Sequence, residues 1–152
     1  MSHNGFYLKP NIENALKLVI DKQFDNKTEI EDDYEYYWDD AMIFLEGNCH
    51  LFAKALQEKF GYKIAYLINK NFNKIHWFCI EAKNNKTLYI DVRGITDDRE
   101  EFKDFHLFRE GFFCGIEENI NNNCYKLYKE CINFATYIIE KYPDYYDVKE
   151  FK

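Results

Sequence analysis

The fold of this chain is decided by residues 76–93, which read HWFCIEAKNNKTLYIDVR. Two runs rich in β-branched and aromatic residues flank the pair Asn84-Asn85. Asparagine tolerates the left-handed backbone conformation that a tight hairpin turn requires. The sequence therefore predicts a β-hairpin whose strands are residues 76–82 and 87–93.

A turn centred on Asn84-Asn85 fixes which residues of the two strands are neighbours. Phe78 then faces Asp91, and His76 faces Arg93. His76 and Asp91 become diagonal neighbours on one face, at a Cα separation of about 7–8 Å, which an imidazole and a carboxylate can bridge. The opposite face takes residues suited to a core, which are Trp77, Cys79, Ile90 and Val92.

Outside the hairpin, the spacing of apolar residues predicts three helices, at residues 11–24, 49–60 and 123–141. Gly61 follows the second helix, where a left-handed residue is favoured, and Pro143 ends the third. A strand is predicted at residues 63–68, followed by a polar turn at 69–74. The predicted buried stripes are Phe52, Ala53, Leu56 and Phe60 in the second helix, and Cys124, Leu127, Tyr128, Cys131, Phe134, Ala135, Ile138 and Ile139 in the third.

Residues 97–108 are charged and give no clear pattern. The order of elements is α–α–β–β–β–α, with the strands in the middle of the chain. It indicates one α+β domain over residues 1–152.

Composition and charge limit the classes of protein to which this chain can belong. With 47% hydrophobic residues the chain is too apolar to be disordered, and its apolar runs are too short to cross a membrane. The net charge is −7, and seven acids without a base lie between Glu29 and Asp40 (EIEDDYEYYWDD). The rest of the chain is nearly neutral, so we expect neither nucleic-acid nor anionic-membrane binding.

The N-terminus lacks the apolar region of a secretory signal, so we expect a cytoplasmic protein, or one delivered to a host cell without a classical signal peptide. The abundance of Lys, Asn and Ile is typical of AT-rich genomes, such as those of some bacteria and phages. Five cysteines without a CxxC pattern argue against a disulfide framework. Cys49 and His50 point about 100° apart on a helix, which disfavours a metal site there, and no cofactor is expected.

Cys49 lies at the predicted start of a helix, where free N–H groups and the helix dipole favour the reactive thiolate. Gly47 permits close approach of a substrate backbone. The preceding peptide and the Cys49 N–H are candidates for an oxyanion hole.

The segment Gly47-Asn48-Cys49-His50-Leu51-Phe52-Ala53 resembles the G-x-C-x-x-F-A nucleophile segment of transglutaminase-like proteins in the papain-like cysteine hydrolase superfamily. His76-Trp77-Phe78 and Tyr89-Ile90-Asp91-Val92 are similar to that family's later strands, and the likeness covers about residues 45–93. It implies a papain-like core, with the nucleophile helix packed on a small antiparallel sheet and flanking helices. It also implies a triad, with Cys49 as nucleophile, His76 as general base and acid, and Asp91 orienting His76.

The sequence departs from the family pattern at two points. The aromatic residue that often follows the family's cysteine is here His50, and the segment from Cys49 to His76 is short. Candidates for a side-chain oxyanion donor are Trp38, Asn48 and Gln57.

Each of these residues also has a structural interpretation. Cys49 is alternatively a small buried hydrophobe, His76 a hydrogen-bonded histidine at a strand edge, and Asp91 a cap of the following turn or a partner of Arg93. His50 is interpreted as a flank of the site or a solvated helix residue. Arg93 either binds a substrate carboxylate or forms a structural salt bridge, and Cys79 is assigned to the core.

These observations lead to one functional hypothesis and one alternative. The hypothesis is thiol-dependent acyl chemistry, namely amide hydrolysis, deamidation or transamidation, on a peptide, protein or small acyl substrate. The alternative is a non-catalytic binding module, inhibitor or effector on the same fold. It would contact a protein partner through the acidic, tyrosine-rich residues from Glu29 to Asp40.

Overall fold

The computed structural model of the protein describes residues 44–45, 48–105, 107–117 and 126–151, and for residues 126–131 it describes the backbone alone. The predicted helix at residues 11–24 lies outside the described residues. The acidic segment from Glu29 to Asp40 lies outside them as well.

The described part of the chain contains a five-stranded antiparallel sheet. Its strands are β1 (Lys63–Ile68), β2 (Lys74–Lys83), β3 (Lys86–Asp91), β4 (Gly94–Thr96) and β5 (Phe112–Glu117), in the spatial order β4-β3-β2-β1-β5. The helices are α1 (Cys49–Phe60), α2 (Arg99–Phe102), α3 (Lys126–Lys141) and α4 (Pro143–Tyr146), followed by a 3₁₀ turn at Val148–Glu150. The fold is therefore α+β, as predicted.

The β2–β3 hairpin has the predicted turn and register. Asn84 and Asn85 have φ angles of 54° and 66°, as a two-residue hairpin turn requires. Cys79 pairs with Ile90, in agreement with the prediction. The predicted pairing of His76 with Arg93 is wrong, because β3 ends at Asp91 and the chain turns at once into β4.

Helix α1 packs on one face of the sheet. The Cys79 thiol donates a hydrogen bond of 3.4 Å to the backbone oxygen of Ala53, which confirms Cys79 as a core residue. Gly61 ends α1 with a φ of 80°. Of the predicted stripe residues, the buried ones are Phe52, Ala53 and Leu56 in α1 and Phe134, Ala135, Ile138 and Ile139 in α3, and Phe60 is half-buried. The side chains of Cys124, Leu127, Tyr128 and Cys131 lie outside the described residues.

The other face of the sheet is covered by residues that the sequence left unassigned. Phe102 of α2 packs against Phe78 at 4.6 Å between ring centroids, and Phe113 of β5 packs against Tyr89 at 5.1 Å. Both faces of the hairpin are therefore buried. Strands β4 and β5 are absent from the predicted element order, which is wrong on this point.

Of the helices in the described part of the chain, none has the length and apolar character that a membrane crossing requires.

Candidate active site

Two of the three candidate triad residues form a direct contact. His76 Nε2 lies 3.0 Å from Asp91 Oδ2, and both side chains are buried. The hairpin places them there, since His76 lies near the start of β2 and Asp91 is the last residue of β3. The diagonal relation predicted from the turn is confirmed by this contact.

Cys49 is the first residue of α1, and its sulfur touches the strand that carries His76. Cys49 Sγ accepts a hydrogen bond of 3.4 Å from the backbone N–H of Trp77. Because that nitrogen is bonded to the carbonyl carbon of His76, the sulfur lies within about 6 Å of the His76 α-carbon. The His76 ring, however, lies among Phe78, Phe102 and Phe108, on the sheet face opposite α1. Among the described residues, the structure therefore joins His76 to Asp91 and places the Cys49 sulfur against the backbone of β2, without a hydrogen bond to the His76 ring.

The second ring nitrogen of His76 is the unusual atom of this site. Among the described residues, His76 Nδ1 has no hydrogen-bond partner, although the side chain is completely buried. Leaving a buried polar atom unsatisfied costs on the order of 1–3 kcal/mol.

The site keeps His76 and Cys49 neutral and Asp91 ionised. Burial lowers the pKa of His76. The hydrogen bond to Asp91 and the charge of Asp91 raise this pKa, whereas the charge of Arg93 lowers it. Burial would raise the pKa of the Asp91 carboxyl, but the Arg93 charge and the hydrogen bonds from His76 and Arg93 hold it well below its usual range. A neutral imidazole facing a carboxylate through Nε2 carries its proton on Nε2, so Nδ1 presents a bare lone pair.

The prediction of a ready thiolate is wrong for the structure as it stands. Cys49 is only 5% exposed, and burial raises the pKa of its thiol to about 11. Hydrogen bonds from the backbone N–H groups of Trp77, His50 and Cys49 lower that pKa, as the helix-start argument predicts, but burial is the larger effect.

Four of the remaining candidates come from the start of α1 or from the residues before it. Asn48 precedes α1 at its N-cap, and its side chain makes no capping hydrogen bond. His50 flanks the site, since its ring packs edge-on against Trp77 at 5.9 Å between centroids. Gly47 and Trp38 lie outside the described residues.

Two further candidates bind other groups of the protein. Arg93 is 4% exposed and forms a salt bridge with Asp91, which confirms its salt-bridge interpretation. Asp91 also accepts a hydrogen bond from the Arg93 backbone N–H at 2.8 Å, so it caps its turn as well as holding His76. Gln57 donates to the Tyr62 backbone oxygen at 3.3 Å, away from the candidate site.

Sequence reasoning missed the residues that cover His76. The Phe108 ring stacks on the imidazole at 4.0 Å, and Phe102 lies at 5.8 Å. The sequence of residues 97–108 has no periodic pattern that predicts burial of His76 by these rings. Phe102 lies in a helix of four residues, and Phe108 lies in an irregular segment.

Within the described residues, no His, Cys, Asp and Glu side chains are grouped in threes or more so as to hold a metal ion. Cys49, Cys79 and Cys114 are free thiols, and Cys114 is exposed. Comparisons with protein-family models, with curated proteins and with solved structures find no match to this chain.

Proposed function

We propose that this protein is a cysteine-dependent acyl-transfer enzyme with a papain-like, transglutaminase-like core. Cys49 is the nucleophile, His76 is the general base and acid, and Asp91 orients His76. The observation that supports this most strongly is the contact of the fully buried His76 Nε2 with the Asp91 carboxylate, which leaves Nδ1 without a partner among the described residues. That is the state in which a histidine accepts a proton.

The reaction begins from a neutral thiol and a neutral imidazole. The Cys49 sulfur attacks the substrate's carbonyl carbon while its proton passes to His76 Nδ1. Asp91 stabilises the imidazolium that forms, through its contact with Nε2. In this structure the sulfur bonds to the Trp77 backbone N–H and not to the His76 ring, so the transfer requires the sulfur and Nδ1 to approach when substrate binds. Catalytic contacts are commonly long in the free enzyme and tighten in the complex.

The remaining steps use the same groups in reverse. The backbone N–H groups of Cys49 and His50, which face the sulfur in the free protein, stabilise the negative oxygen of the tetrahedral intermediate, with the Asn48 side chain beside them. His76 returns its proton to the leaving amine or alcohol, which departs and leaves an acyl group on Cys49. Water then gives hydrolysis or deamidation, and an amine gives transamidation.

The substrate is a peptide, a protein or a small acyl compound, and this mechanism uses neither a metal nor a cofactor. We place the enzyme in the cytoplasm, or in a host cell to which it is delivered. The free thiols Cys49, Cys79 and Cys114 fit such a reducing compartment.

A non-catalytic binding protein on the same fold is the second candidate. The near-complete burial of Cys49 and the raised pKa of its thiol favour it. In this case the residues from Glu29 to Asp40 contact a protein partner.

Acylation by p-nitrophenyl acetate distinguishes the two candidates. A Cys114→Ser background is used, because the exposed Cys114 would otherwise react on its own. We expect an acetyl group on Cys49, detected by peptide mass spectrometry, together with release of nitrophenol. His76→Gln should slow this acylation by at least about 10²-fold, since the base is lost.

The matched control is Cys79→Ala, which removes another buried thiol and should leave acylation of Cys49 unchanged. Circular dichroism checks that each variant is folded. If Cys49 stays unmodified, or reacts equally fast without His76, the binding protein is the better description.

A further inference from the structure

The Asp91 carboxylate is held mainly by Arg93. Oδ1 accepts from the Arg93 backbone N–H at 2.8 Å and from Arg93 Nε at 3.0 Å. Oδ2 accepts from Arg93 Nη2 at 2.6 Å and also faces His76 Nε2 at 3.0 Å. The orientation of the carboxylate is therefore set by arginine, and His76 bonds to an oxygen that is already fixed.

Arg93 itself is fixed by its surroundings. Its guanidinium carbon lies 4.8 Å from the centroid of the Phe102 ring and 5.3 Å from that of Phe108, the two rings that cover His76. The turn that carries it is anchored from the far end of the chain, since Tyr146 donates its hydroxyl to the Val92 backbone oxygen at 2.7 Å. The Arg93 guanidinium presents Nε and Nη2 to the Asp91 carboxylate as a fork of two N–H donors. Because this fork is buried and lies in a fixed turn, it is suited to orienting the carboxylate.

We propose that Arg93 is a positioning residue of the Cys49–His76–Asp91 site, which holds His76 in the tautomer with Nε2 protonated and Nδ1 bare. Its part in catalysis rests on the proposed function, whereas its effect on the imidazole does not. The fork keeps Oδ2 aimed at Nε2, which selects the tautomer. The positive charge offsets the Asp91 carboxylate, so that the imidazole does not take up a second proton at neutral pH.

Among the described residues, three charged or titratable groups are assigned to the surroundings of His76. Asp91 and Arg93 come from the β3–β4 turn, and Cys49 comes from α1. The rings of Phe78, Phe102 and Phe108 face it from β2, α2 and the segment after α2. Of these groups, Arg93 bears the positive charge.

The test is the ¹⁵N spectrum of the histidine rings, recorded from pH 5 to 8 on the folded chain without substrate and assigned with a His76→Gln variant. In the unaltered protein we expect His76 Nε2 protonated and Nδ1 bare at neutral pH. Arg93→Gln should raise the titration midpoint of His76 by about one unit or more, because Asp91 is left uncompensated. Arg93→Lys keeps the charge but loses the fork, so the midpoint should move little while the tautomers become mixed.

The control is Lys83→Met, which removes hydrogen bonds to the Val148 and Phe151 backbone oxygens, both of 2.7 Å, outside the site. It should lower stability without changing the His76 spectrum. An unchanged tautomer and midpoint in the folded Arg93 variants would overturn the proposal. So would failure of Arg93→Lys to fold, since the role would then be structural. Loss of Cys49 acylation alone would contradict the proposed function and leave this result standing.

Discussion

His76 has no exposed surface, a position that a histidine occupies at a cost. Its placement beside Asp91 could be predicted, because side-chain parity in a hairpin follows from the turn residues alone. Its burial could not, because Phe102 and Phe108 come from a segment without a periodic pattern. Likewise, the helix-start argument foresaw N–H groups at the Cys49 sulfur, but no local pattern reveals how much tertiary packing covers it.

The neutral state of His76 predicts how stability depends on pH. Its pKa in the folded protein is below the ordinary value near 6.5, so the unfolded chain binds a proton that the folded chain does not. The free energy of unfolding should therefore fall as the pH drops below about 6.5. Urea denaturation at several pH values from 8 to 5 measures this.

The pKa values of two other groups are also shifted, so their contributions to the pH dependence must be separated from that of His76. Burial and the charge of Asp104 raise the pKa of Glu101 to about 7, so Glu101 acts with the opposite sign, and a Glu101→Gln background removes it. Burial also lowers the pKa of His50, so the measurement is repeated with His50→Gln. Stability that stays flat from pH 8 to 5 in both backgrounds would contradict a neutral, buried His76.

Among the elements, the β1–β2 turn contains the clearest local strain. Phe72 has a φ of 64°, a left-handed conformation that is unfavourable for a bulky residue, and it is 82% exposed. The turn around it is tied by Asn69, whose Oδ1 accepts from the backbone N–H groups of Asn71 and Asn73 at 2.9 and 3.0 Å. Because the ring is mostly exposed, its packing does little to offset the free-energy cost of this backbone conformation.

We therefore expect Phe72→Asn to stabilise the protein by about 1 kcal/mol, because asparagine adopts the left-handed region readily. The free energy of unfolding in urea is the measurement. Phe112→Asn is the control, since it replaces a 58% exposed phenylalanine in strand β5, where it should give no gain. Equal effects of both substitutions would show that exposed apolar area, and not the turn, is responsible.

The limits of sequence prediction are also visible among the elements. Helix α1, strand β1 and the hairpin have long patterns or strong turn residues, and all were predicted. Strand β4 has only three residues and α2 only four, too few to show a period. Strand β5 is exposed at Phe112, Cys114 and Ile116, so it lacks the alternation of buried and polar residues that identifies a strand.

At the scale of the molecule, hydrogen bonds link residues 146–148, near the C-terminus, to Tyr62 and to the turn after β3. The Tyr62 hydroxyl donates to the Tyr146 backbone oxygen at 2.7 Å and accepts from the Val148 N–H at 2.9 Å. Tyr146 in turn reaches Val92, between Asp91 and Arg93. Residues far apart along the chain thus support the turn that carries Asp91 and Arg93. Sequence periodicity does not reveal such long-range hydrogen bonds.

Tyr146→Phe should lower the free energy of unfolding by about 1–3 kcal/mol, because the buried Val92 oxygen loses its donor while the ring keeps its packing. Tyr145→Phe is the matched neighbour, half-buried, and should change little. Equilibrium urea denaturation compares the two variants. Equal stability of both would mean that the Val92 contact contributes nothing.

The hairpin also has a consequence for the order of folding. His76 and Asp91 are 15 residues apart, and the entropy lost in closing so short a loop is small. Imidazole and carboxylate therefore meet as soon as the two strands pair, whereas the sulfur arrives only when α1 docks. A chain arrested between those two events would already hold His76 against Asp91, while the Cys49 sulfur would not yet have reached the backbone of β2.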